Sequence, residues 1–94
     1  MSRAEKLMSV SRREFEESWR AFSGEMPPAP GAPARMAAGD GFVLIGYEPR
    51  PAVRLGGLLE LPRAAVSFEF DGVDAPAKAA LLARFDRAFQ RGGG

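Results

Sequence analysis

The sequence predicts a two-layer α+β fold of order α-β-β-β-α, with three antiparallel strands in a meander and two helices on one face. Three observations predict it. Apolar residues recur with helical spacing in two segments, from Ser11 to Ser23 and from Asp74 to about Arg91. Between those segments the alternation has period two and is cleanest from Ala64 to Asp71. The connections between the strand-like runs are short enough for hairpins, which makes neighbouring strands antiparallel.

The first nine residues are mixed and polar, and they are expected to form a disordered or loosely helical tail. The first firm boundary is at Ser11. Ser11 and Glu14 have capping-box spacing, and Val10 and Phe15 occupy the two places of a hydrophobic staple. Phe15, Trp19 and Phe22 then make one apolar stripe, and Gly24 is the natural stop. Residues 25–40 contain Pro27, Pro28, Pro30 and Pro33 among alanines and are expected to be a mobile loop.

Phe42 to Tyr47 reads as a strand that is apolar on both faces, followed by a turn at Glu48-Pro49-Arg50-Pro51. Ala52 to Leu61 reads as a second strand, Pro62-Arg63 as a tight turn, and Ala64 to Asp71 as a third strand. On paper the last two strands pair with Leu59 opposite Val66, Leu55 opposite Phe70 and Arg54 opposite Asp71. Gly56-Gly57 is a second place for a hairpin turn, one that would leave two very short strands. Asp74 and Pro76 open the second helix, whose buried stripe is Leu81, Leu82, Phe85 and Phe89. The expected core is Phe15, Trp19, Phe22, Leu55, Leu59, Val66, Phe68, Phe70, Leu81, Phe85 and Phe89. One domain spans residues 10–91, between the tail of residues 1–9 and a flexible glycine tail at 92–94.

The 94-residue chain has no histidine and no cysteine. That removes zinc modules of the Cys/His kind, disulfide scaffolds and the commonest nucleophile–base pairs. It also has no threonine, a single tyrosine (Tyr47) and no Gly-x-Ser-x-Gly elbow. Gly39-Asp40-Gly41 precedes a strand and Gly56-Gly57 lies within one, so neither matches a phosphate loop. The expectation is a non-enzymatic protein with no cofactor and no metal. Nothing in it has the length of a signal peptide's apolar core or of a membrane span, so it is expected to be soluble and cytoplasmic, without membrane contact.

The 13 Lys and Arg against 12 Asp and Glu leave a net charge of +1, with no basic stripe; Lys6 and Lys78 are the only lysines. The α-β-β-β-α order resembles double-stranded RNA-binding domains. The resemblance implies a lysine cluster at the start of the last helix and a charged loop after the second strand. Asp74-Ala75-Pro76-Ala77-Lys78 offers one lysine, and Pro62-Arg63 is too short for the loop. An arginine-mediated RNA- or DNA-binding domain is therefore the alternative function. The closing Arg91-Gly92-Gly93-Gly94 is similar to the tails of ubiquitin-like sulfur carriers, whose folds lead into the tail from a strand and not from a helix.

The leading expectation is a protein-interaction or assembly module that docks a protein partner, or a second copy as a homodimer, through the sheet face away from the helices. Depending on register, that face receives either Val43, Ile45 and Tyr47 or Phe42 and Leu44, joined by Leu58 beside Gly56. A polar outer face is the norm for a half-solvated sheet, and contiguous exposed apolar residues mark interaction sites. The bland alternative is that the proline-rich loop folds back over the patch.

Overall fold

The computed structural model of the chain describes residues 2–90. It contains β1 (Ser2–Met8), α1 (Arg12–Ser23), β2 (Ala34–Ala38), β3 (Gly41–Leu55), β4 (Leu59–Asp71) and α2 (Ala75–Gln90). The sheet is four-stranded and antiparallel, in the order β1-β4-β3-β2. This corrects the three-stranded meander in three places.

The first correction is at the N-terminus, where Ser2–Met8, expected as part of a tail, is an edge strand on β4. Its alternation is masked because the residues facing the helices are Ala4, Lys6 and Met8. Lys6 spends its stem on the core and its charge on Asp86 of α2, at 3.0 Å. The other lysine, Lys78, donates to Ser2 Oγ at 3.2 Å. An inward lysine also guards an edge strand against stray pairing.

The second correction concerns the prolines. Pro49, Pro51 and Pro62, expected at turns, lie inside long strands. The ladder runs Leu55↔Leu59, Arg54↔Glu60 and Val53↔Leu61, then resumes at Arg50↔Arg63. Two residues, Pro51 and Ala52, thus stand against Pro62 alone. Proline cannot complete a ladder, and a bulge is one of the few places where a sheet accepts it. The reversal falls at Gly56 and Gly57, both with left-handed φ (65° and 77°), so the alternative turn is the one used. The two strands are not short because they run through the prolines. Arg54 accordingly sits 3.7 Å from Glu60, and Asp71 pairs in register with Phe42.

Third, a sliver of the loop expected at 25–40 is ordered as β2, which returns through Gly39-Asp40 onto β3. Arg12 ties down the stretch before it. Its Nη1 donates to the Pro28 carbonyl at 2.7 Å, its Nε donates to Glu16 at 2.9 Å, and its guanidinium lies 4.7 Å from the Tyr47 ring centre. Pro28 is fully buried.

The helix boundaries agree with the sequence reading. Ser11 Oγ accepts from Glu14 N–H, the Glu14 carboxylate accepts from Ser11 N–H, and Gly24 N–H closes onto Arg20 O. Asp74 caps α2 by accepting from Ala77 N–H at 2.9 Å. Val43, Ile45 and Tyr47 of β3 and Val66, Phe68 and Phe70 of β4 meet Phe15, Trp19, Phe22, Leu81, Phe85 and Phe89 in one core. Phe85 stands perpendicular to Phe68 at 5.0 Å and stacks on Phe89 at 4.1 Å.

Leu55 and Leu59, expected in that core, are 47% and 54% exposed. They lie beyond the end of the helices, on a two-stranded arm that gives the molecule a long dimension of 47 Å against 22 and 21 Å. Urea unfolding at low protein concentration checks this division. Phe68→Ala is expected to cost about 3–5 kcal/mol, whereas Leu59→Ser stays within about 0.5 kcal/mol.

Candidate interaction surface

Alternation along β4 assigns the two faces of the sheet. Ala64, Val66, Phe68 and Phe70 face the helices, and Arg63, Ala65, Ser67 and Glu69 face away. Register carries the assignment to the neighbouring strands, so the open face reads in rows. Leu44, Glu69 and Arg3 form one row, with Arg35 at its β2 end. Gly46, Ser67 and Glu5 form the next, then Glu48, Ala65 and Leu7, then Arg50 and Arg63.

The seven residues expected at an interface therefore separate. Val43, Ile45 and Tyr47 are buried under the helices. Phe42 and Leu44 are half-buried on the open face, with the Arg35 guanidinium 4.0 Å from the Phe42 ring centre. Gly56 and Leu58 lie at the arm's tip, many rows away along the strands.

Two features of this face were not foreseen. The first is the arm itself. Its cross-strand pairs Val53–Leu61 and Leu55–Leu59 put four apolar side chains on one side, and Arg54–Glu60 lies on the other. By the alternation of β4, the apolar side continues the open face. Five large hydrophobic side chains are exposed among the described residues, and three of them, Leu55, Leu58 and Leu59, belong to this tip. Scattered exposed leucines need no explanation, but a cluster at the end of a projection does. The signal was in the sequence, as the period-two run Val53-Arg54-Leu55 and Leu59-Glu60-Leu61 on either side of Gly-Gly.

The second feature is a charge arrangement. Arg50 and Arg63 are directly opposite each other at the base of the arm. Neither lies within ion-pair distance of a carboxylate among the described residues, and Arg63 Nε is buried with no acceptor. Like charges opposite one another destabilise a ladder. Two rows back toward the body, Gly46 and Ser67 leave a hollow of about 180 Å³, walled by Leu44, Glu48 and Glu69 and, on one side, by Ala29 and Gly31–Pro33. A Cβ at Gly46 would lie 2.7 Å from Ser67 Oγ, so glycine keeps the floor low. The proline-rich loop flanks this hollow through Ala29 and Gly31–Pro33.

Among the described residues, no cluster of acidic side chains is placed to hold a metal ion, and no helix is long and apolar enough to cross a membrane. The carboxylates Glu60, Glu69 and Asp71 do not converge: Glu60 lies on the arm against Arg54 and Glu69 lies 3.8 Å from Arg3. The glycine tail expected at 92–94 falls outside the described residues. The chain matches no protein-family model, no curated protein and no solved structure.

The opposed arginines give a direct check on register. Arg50→Glu, which sets a carboxylate opposite Arg63, is expected to stabilise the protein by about 0.2–1 kcal/mol in urea titrations at low salt. The gain shrinks as salt is raised.

Proposed function

We propose that the protein is a non-enzymatic interaction module whose working element is the β3–β4 arm with the open face that continues it. The observation that carries this reading is the leucine cluster at the arm's tip, held away from the core that the rest of the chain builds. An isolated two-stranded ribbon is marginally stable in water, so an apolar ribbon face gains most by being covered. The composition supports a binding role over a catalytic one, since histidine and cysteine, the commonest base and the most reactive nucleophile, are absent.

The arm also speaks against nucleic acid as the partner. Arg54 is matched by Glu60, and Glu48 stands one row from Arg50 and Arg63 on the same face. A duplex presents one negative charge per roughly 1.7 Å of axis, and those carboxylates would repel it. A protein surface that is apolar and carries separate carboxylates fits better.

A photo-crosslinking side chain at position 58, with position 17 on the exposed side of α1 as the control, tests the reading in cells that make the protein. Discrete protein adducts are expected from position 58 and none above background from position 17. Absence of adducts at position 58 would remove the arm from the function.

A further inference from the structure

Resting on that reading, we infer that the arm's partner is a second copy of this chain, packed open face to open face about a two-fold axis that runs perpendicular to the strands at the Ala65–Glu48 row. The argument is one of register. A two-fold axis in that position keeps β4 over β4 and β3 over β3 while reversing the strand direction. Each row then meets the row equally far on the other side of the axis.

The row Arg50–Arg63 of one copy falls on the row Gly46–Ser67 of the other. The two guanidiniums thus enter the hollow, where Glu48 and Glu69 of the second copy flank them. This supplies the carboxylates that the opposed arginines lack within their own chain. The next row, Val53–Leu61, falls on Leu44–Glu69, and Leu55–Leu59 falls on Phe42–Asp71. On β3 the arm's Val53 and Leu55 therefore land on the half-buried Leu44 and Phe42 of the other copy, while on β4 Leu61 and Leu59 lie over Glu69 and Asp71. Three rows of arm meet three rows of body, and the same contacts recur in reverse, as a closed two-fold interface requires. Placing the axis one row nearer the tip would bring arginine row onto arginine row; in this register Glu48 meets Glu48 on the axis instead, with Arg50 and Arg63 of each copy one row away on either side to offset the pair. Gly46 acquires a role here, since a larger side chain would fill the space that Arg50 enters.

Charge exchange tests the pairing. One variant carries Arg50→Glu and Arg63→Glu, the other Glu48→Lys and Glu69→Lys, with folding of each followed by circular dichroism. Sedimentation equilibrium of the unaltered protein is expected to show a monomer–dimer equilibrium. Each variant alone should associate more weakly by over about tenfold. An equimolar mixture should recover a mixed dimer, because each arginine or glutamate row then meets its opposite. Gly46→Val should weaken the dimer while the chain stays folded.

A strict monomer at every concentration overturns the inference, as does a dimer indifferent to all three changes, or a mixture that fails to pair. Adducts from position 58 joining two copies agree with it. Adducts only with a different protein, from a monomer, overturn it and leave the interaction reading intact; no adducts at all overturn both. Salt-sensitive binding of duplex DNA or RNA by a monomer, lost in the Arg50→Glu, Arg63→Glu variant, overturns it in favour of a phosphate ligand.

Discussion

Phe85 meets all three parts of the core. Its ring stands edge-on to Phe68 of β4, edge-on to Phe22 of α1 at 5.3 Å, and flat against Phe89 one turn further along α2. A chain of this length buries little surface for its size, so a few large rings must link the layers. With Phe85 fixed, the tilt of α2 is set, and so is the side of the sheet that the helices cover. Phe15 repeats the arrangement at the other end of the core, between Trp19, Tyr47 and Phe89. Arg12 then stacks on Tyr47 and holds the Pro28 carbonyl, so the proline-rich segment is positioned by the same aromatic group. The face chosen for burial leaves the other face, and everything past the ends of the helices, to solvent.

Both helices were legible to within a residue or so because their signals are local. A capping box and a left-handed glycine are read from a handful of neighbours, and each is present, with Val10 and Phe15 both buried in the core. The third strand was legible in the same way, with Val66, Phe68 and Phe70 inward. The strands that were misread depend on distant partners. β1 contributes Ala4 and Lys6 to the covered side, neither of which advertises a strand, and only β4 beside it and Asp86 above it give them a reason to be extended. Pro49, Pro51 and Pro62 read as turns because proline usually marks one; a bulge that sets two of them against each other depends on the pairing itself.

The same misreading displaced the candidate surface. With the reversal placed at Pro62, Leu55 and Leu59 counted as core, and the leucine cluster was dissolved on paper. The first strand was known to be apolar on both sides, which left its register open. The structure resolves it in favour of Val43, Ile45 and Tyr47 inward and Phe42 and Leu44 outward. The opposed arginines could not be seen without the correct hairpin, since they are thirteen positions apart in the chain.

The prolines of the arm have a further consequence. Beyond Ile45 on β3, and before Ala64 on β4, no neighbouring strand covers the outer edges of the ribbon. A long, leucine-rich ribbon with bare edges is the kind of segment that recruits further strands and grows into fibrils. Pro49, Pro51 and Pro62 carry no N–H, and the bulge between them breaks the even spacing a docking strand would need. The chain can therefore display its most apolar surface without offering the continuous row of donors on which a cross-β stack is built.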